Sequence, residues 1–108
     1  MATIEDFEKI DIRIGVIEEV RDAETRRPAY RVVVDFGEEV GRKVSAIQAT
    51  NYSEEELLGL AVVGVVNFPS RQMGPVRSEV LILGVPGADG KLSILTPTRP
   101  AELGGRVF

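Results

Sequence analysis

Apolar and polar residues alternate along much of this chain, and a period of two is the signature of a half-buried strand. Ile12, Ile14 and Val16 alternate with Arg13 and Gly15, predicting a first strand that runs to about Val20 and leaves Ile17 facing outward. Asp22 to Pro28 is polar and reads as a loop. Alternation resumes at Ala29, with Tyr30, Val32, Val34 and Phe36 on one face and Arg31, Val33 and Asp35 on the other. Gly37-Glu38-Glu39 supplies a turn, and Arg42 to Ala49 reads as a third strand.

Two capping boxes interrupt the strands. Thr3 with Asp6 and Ser53 with Glu56 stand at the spacing in which a hydroxyl accepts from an early helical amide and the acid accepts from the cap. They predict short helices over residues 4–8 and after Ser53, the second ended by Gly59 as a left-handed cap. Leu60 to Val66 is apolar except at Gly64, the pattern of a strand covered on both faces. Asn67 to Glu79 reads as one connection longer than a hairpin needs. Val80 to Val85 and Leu92 to Leu95 are two further strands, separated by the turn residues Pro86 to Gly90. The tail from Thr96 to Phe108 carries Pro97, Pro100, Gly104 and Gly105 and is expected to be irregular, with a short pairing strand at its end.

Three strands, a helix and two or three more strands match the order of an all-β OB-fold, a closed five-stranded barrel whose helix lies between the third and fourth strands. A β-sandwich is the alternative, but it normally uses about seven strands and needs no capped helix at mid-chain. With 108 residues, one domain over residues 1–108 is expected.

Composition then narrows the chemistry. The chain has no cysteine and no histidine, which removes disulfides, thiol nucleophiles, imidazole catalysis and the usual zinc ligands. No phosphate-binding or dinucleotide motif is present, so no cofactor, no metal and no enzymatic activity are expected. Glu54, Glu55 and Glu56 sit where a helix N-terminus favours negative charge and read as structural. No apolar run approaches the ~20 residues of a membrane helix, and Met1 to Asp6 lacks the basic start of a secretory signal, so a cytoplasmic protein without membrane insertion is expected.

The net charge of −4 argues against an indiscriminate nucleic-acid binder, so the placement of the 13 basic residues decides. Only Lys9, Lys43 and Lys91 are lysines; the remainder are arginines, whose planar forks suit phosphates. On an OB barrel the second and third strands and their flanking loops form the usual oligonucleotide site. Arg26, Arg27 and Arg31, with Arg42 and Lys43 opening the third strand, could converge there as a phosphate patch; equally, Arg26 and Arg27 could solvate a loop beside Asp22 and Glu24. The connection from Asn67 to Glu79 adds the donors Asn67, Arg71, Gln72, Arg77 and Ser78, beside Phe68 and Met73, which suit base stacking or plug the barrel end. Ile17, Val33 and Ile47, apolar at outward positions of the alternation, together with the second face of the strand at residues 60–66, point to an interaction surface and a two-fold dimer.

The run Asp11-Ile12-Arg13-Ile14-Gly15-Val16-Ile17 resembles the opening strand of the tRNA-binding domain of CsaA proteins, of methionyl-tRNA synthetase C-termini and of the endothelial monocyte-activating polypeptide group. NFPSRQMGPVRSEVLILG, Asn67 to Gly84, is similar to that family's signature, and VDFGEEVG, Val34 to Gly41, resembles CsaA in particular. The resemblance implies an OB-fold homodimer that binds tRNA, with a second role as a secretion-related chaperone for unfolded or precursor polypeptides and their export machinery. It carries the signature onto Asn67, Pro69, Arg71, Ser78 and Glu79, and onto the strand positions Arg13, Ser45 and Gln48. Ser70 and Gly74-Pro75 depart from the family's pattern in the binding loop. The alternative polypeptide surface is assigned to Ile17, Phe68 and Met73.

Overall fold

The computed structural model describes all 108 residues. A helical turn, α1 (Ile4–Glu8), leads into the long strand β1 (Ile12–Asp22), followed by β2 (Tyr30–Asp35), the turn α2 (Gly37–Val40) and β3 (Arg42–Ile47). α3 (Glu54–Leu57) precedes β4 (Ala61–Val65). Five short strands complete the chain: β5 (Arg71–Met73), β6 (Val76–Ser78), β7 (Leu81–Ile82), β8 (Gly84–Pro86) and β9 (Leu92–Ile94). Both capping boxes form as expected, with reciprocal Thr3/Asp6 and Ser53/Glu56 bonds, and Gly59 follows α3 at φ +84°, the left-handed region that favours glycine.

The main sheet has the order β3-β2-β1-β4-β7. β1 serves two partners: Ile12–Val16 pairs with β4, and Val16–Asp22 pairs with β2 across a bulge at Glu18. Where β2 has ended, the tail takes over the vacated edge, with Ile14 bonded in both directions to Gly104 and Gly105 and the Val107 amide donating to the Ile12 carbonyl at 2.8 Å. This is the expected terminal pairing strand. The barrel nearly closes between β3 and the chain entering β7. The Glu79 amide donates to the Val44 carbonyl at 2.7 Å, and the Glu79 carboxylate accepts from the Val44 amide at 3.0 Å, standing in for a strand carbonyl. The expected OB-fold barrel, with α3 between its third and fourth strands, is therefore observed.

Three local readings change. The connection from Asn67 to Glu79 contains the β5–β6 hairpin, which docks Val76 and Met73 on Val44, Ala46, Ala23 and Ala29 as a second small core. The expected strand from Val80 to Val85 divides at Leu83: its amide still donates to Val63 of β4, but its carbonyl accepts from Leu95, turning the chain into the β8–β9 hairpin.

The third change is the parity of β1. Gly15 and Ile17 face the core, Ile17 being 1% exposed, while Ile12, Ile14 and Val16 lie half-buried on the outer face. Ile47 is likewise a core residue, so neither it nor Ile17 is the outward apolar position that the alternation implied. The cause is Phe36, whose fully buried ring fills the space over Gly15 and Gly64. A Cβ at Gly15 would meet Val34 Cγ1 at 2.6 Å and the Phe36 ring at 2.7 Å; one at Gly64 would meet Val80 at 2.8 Å and Phe36 at 3.0 Å. A core-facing glycine contributes no apolar side chain to a sequence pattern, so the alternation by itself puts the inner face of β1 on the outside.

Gly15→Ala therefore overpacks the core, and thermal or urea melts should show a loss of about 1–3 kcal/mol. Combined with Phe36→Leu, the two losses should sum to less than their separate values, because the second change removes the ring the new methyl strikes. Strict additivity would mean that Phe36 is not what requires the glycine.

Candidate nucleic-acid interface

Between the second half of β3 and the segment Ser78–Leu83 lies a groove of about 620 Å³. Its floor is apolar, formed by Ile47, Val80, Ile82, Leu92 and Ile94. Gln48, Phe68, Pro69, Arg71 and Met73 form its upper walls. The fold places these residues for local reasons. β3 supplies consecutive positions at the barrel's incomplete seam, and the β5–β6 hairpin is held over that seam by the Val76 and Met73 contacts.

Eight of the residues singled out from sequence for RNA or polypeptide binding meet in this groove: Ser45, Gln48, Pro69, Arg71, Ser78 and Glu79 from the RNA-binding set, and Phe68 and Met73 from the polypeptide set. Their availability differs. Ser45 is buried, and the Ser78 hydroxyl lies 3.4 Å from the Ser45 hydroxyl and donates to the Val80 carbonyl at 3.3 Å. Glu79 is committed to Val44. Gln48 and Arg71 are exposed and their side chains make no internal hydrogen bond, and Phe68 is 45% exposed on the rim. Ile17 lies in the core, away from any surface.

Asn67 is placed as a clamp. Its side-chain oxygen accepts from the Asp11 amide at 2.9 Å and its nitrogen donates to the Lys9 carbonyl at 2.8 Å, tying the end of α1 to the end of β4. Arg13 is similarly committed: it bonds Asp11 at 2.7 Å, Glu39 at 3.4 Å and the Gly104 carbonyl at 3.0 Å, joining β1, α2 and the tail. The Asp11 hydrogen bond raises its pKa, burial opposes this, and Glu39 adds to the rise. Arg42 bonds Glu18 at the bulge, which raises its pKa, and Asp35 stands 4.0 Å away. Arg31 faces Arg21 directly across β1 and β2, and both reach Glu19 Oε1 at 3.8 Å.

The remaining predicted cations behave differently. Arg26, Arg27, Arg71 and Arg77 are exposed, and none has a carboxylate at salt-bridge distance; Lys43, half-buried, has none either. Arg77 lies opposite Gln72 on β5–β6 and donates to its side-chain oxygen at 3.2 Å, so it sits on the face of the hairpin opposite Arg71 and Ser78. The hairpin turn abuts the loop bearing Arg26 and Arg27, since a Cβ at Gly74 would lie 3.0 Å from the Thr25 methyl. Two segments distant in sequence thus carry four unneutralised arginines, with Arg71 on the groove face of the hairpin and Arg77 on its other face. Sequence reading missed the groove floor, Val80, Ile82, Leu92 and Ile94, because strand alternation marks residues as inward without showing that the barrel is open beside them. It also missed Arg21, the partner of Arg31.

Residues 12–106 match the family model described as "Putative tRNA binding domain". The methionine–tRNA ligase of Archaeoglobus fulgidus is 40% identical over 106 residues, covering 97% of this chain but 16% of that enzyme, so the chain spans about one-sixth of its length. Two solved structures superpose over the whole chain. The CsaA chaperone protein from Picrophilus torridus is 44% identical with a TM-score of 0.93, both chains covered completely. Chaperone CsaA from Bacillus anthracis str. Ames is 40% identical with a TM-score of 0.91, covering 100% of this chain and 99% of that one. By its fold, its basic hairpin and loop, and the match over residues 12–106, the chain belongs to the tRNA-binding domain family and is a close structural relative of the CsaA proteins.

Proposed function

We propose that this chain is a non-catalytic cytoplasmic module that binds folded tRNA, as a homodimer, by shape and backbone contacts. The observation that carries the reading is the division of the arginines. Arg13, Arg42 and Arg106 are held by carboxylates and Arg21 and Arg31 share Glu19, whereas Arg26 and Arg27 on the loop, Arg71 and Arg77 on the two faces of the hairpin, and Arg99 on the tail have no carboxylate partner. An acidic protein can grip a polyanion only where such cations are unpaired, and phosphate contacts supply affinity without reading sequence. Gln48 at the groove edge adds a donor for sugar or base. No helix is long and apolar enough to cross a membrane.

The dimer rests on the outer face of β1 and β4. Ile12, Ile14 and Val16 are paired in register with Val65, Val63 and Ala61, so their side chains share that face; Val65 is already buried at 3% exposed, the other five are half-buried, and Leu81, 49% exposed, extends the face onto β7. A continuous apolar surface of this kind gains about 25 cal/mol for each Å² removed from water, and two-fold pairing is the commonest solution.

A second reading, polypeptide capture, is favoured by the apolar groove with exposed Phe68 at its rim and by the likeness to proteins described as chaperones.

Filter binding across a salt series should show tRNA preferred over duplex DNA. Reversal of both hairpin arginines (Arg71→Glu, Arg77→Glu) should weaken tRNA binding at least about tenfold and flatten the salt slope by roughly 0.7–0.9 per lost phosphate contact. An unchanged affinity and slope would remove the RNA reading. In sedimentation the native chain should run as a dimer and Val63→Asp as a monomer; a native monomer at micromolar concentration rejects the assigned seam. The dimer should also slow aggregation of an unfolded client, with the effect reduced in Phe68→Ala/Met73→Ala and retained after the double charge reversal. Equal protection by the Phe68/Met73 variant would exclude this groove as the capture surface.

A further inference from the structure

The pairing pattern of β3 leaves part of its edge unused. Phe36 donates to the Gly41 carbonyl, so the hydrogen-bonded pairs of the β2–β3 ladder are Phe36/Gly41, Val34/Lys43, Val32/Ser45 and Tyr30/Ile47. The backbone groups of the residues between, Val44 and Ala46, and of Gln48 beyond the strand end, point to the opposite edge. Val44 agrees, since both of its groups meet Glu79 there. Beyond that latch, Ala46 and Gln48 make no backbone hydrogen bond on this edge; Ala46 is 8% exposed, with its side chain packed against Val76 of β6, and Gln48 is exposed. They border the apolar groove. On the facing bank, Leu83 donates to Val63, and by the same alternation Ile82 turns its backbone groups away from β4 and toward the groove.

We infer that the groove receives an extended polypeptide segment, which adds to the free β3 edge at Ala46 and Gln48 as an extra strand. The inference rests on the polypeptide reading above and specifies its partner: a chain in β conformation, held chiefly by its main chain. Two observations select this occupant. Unpaired strand-edge groups are complementary to another strand, the mode in which main-chain bonds give affinity and alternate side-chain pockets give preference. The lining is mostly apolar, and its charged members are only Arg71 and Glu79, the latter already engaged by Val44. A nucleic-acid strand there would meet a single available cation, whereas the free arginines of the loop and of the outer hairpin face lie elsewhere. Side chains on one face of the added strand would enter toward Ile47, Val80, Ile82 and Ile94, and those on the other would face Gln48 and solvent. A segment alternating apolar with polar residues fits; a uniformly polar one does not.

The test uses the full chain and a fluorescein-labelled nine-residue peptide alternating Ile or Val with Ser or Thr. Two versions are N-methylated on every second amide, in opposite parities, so that the same side chains are kept and different main-chain donors are removed. One parity should lower affinity by about tenfold or more while the other changes it little, as expected for loss of several backbone hydrogen bonds. Amide exchange should slow at Ala46 and Gln48 when the unmethylated peptide binds. Equal binding by both parities, or unchanged exchange at Ala46 and Gln48, would overturn strand addition while leaving polypeptide capture standing. Failure of the unmethylated peptide to bind a protein that still binds tRNA would remove capture as well. Competitive displacement of the peptide by a short single-stranded oligonucleotide that binds more tightly and itself protects these two amides would make the groove an RNA cleft.

Discussion

Phe36 lies at the centre of the barrel, and the rest of the arrangement follows from where its ring is allowed to sit. It packs over two residues that have no side chains, Gly15 on β1 and Gly64 on β4. That contact settles which face of each strand is inside. Because β1 and β4 then turn Ile12, Ile14, Val16, Ala61 and Val63 outward, the molecule carries a second apolar face on the outside of its sheet. The backbone of the same residue is approached by the tail, where a Cβ on Gly104 would lie 2.4 Å from the Phe36 carbonyl oxygen. Gly104 and Gly105 can therefore pair with β1 and continue the sheet past the end of β2.

Charge is distributed by a comparable division of labour. Arginines on the barrel strands are used internally: Arg13 joins three segments near the tail, and Arg42 binds Glu18 at the bulge. Carboxylates that make the whole chain acidic are partly consumed in these pairs. The arginines on the loop and on the β5–β6 hairpin have no such partners, and the contact between Gly74 and Thr25 brings their two segments together. Local field, rather than net charge, is what a polyanion meets at short range, because screening limits the reach of distant charges to about 10 Å in ordinary salt.

The seam of the barrel joins structure to function. β3 and β7 do not form a complete ladder, and one glutamate side chain substitutes for a strand carbonyl at the point of closure. An incomplete seam leaves backbone groups unpaired and apolar core positions accessible from one side, a combination that a fully closed barrel would not offer. Residues singled out for RNA and residues singled out for polypeptides line the same opening, so the two proposed activities share a wall while drawing on different chemistry.

The order of strands, both capped helices, the mid-chain helix position and the absence of thiol and imidazole chemistry were legible in the residues alone, because each depends on local spacing or on composition. Much of the candidate site was legible too, since polar donors beside exposed aromatics stand out along the chain. Local pattern did not reveal the parity of β1, which depends on a ring contributed by β2's end. It did not reveal that Asn67 and Glu79 act as clamps, that Arg13 and Arg42 are neutralised, or that the 67–79 connection folds into a hairpin. Those outcomes rest on contacts between residues tens of positions apart, and a side chain's partner is set by three-dimensional proximity. The chain by itself determined which groups were available; the tertiary structure decided which of them remain unpaired at the surface, and only unpaired groups can bind something else.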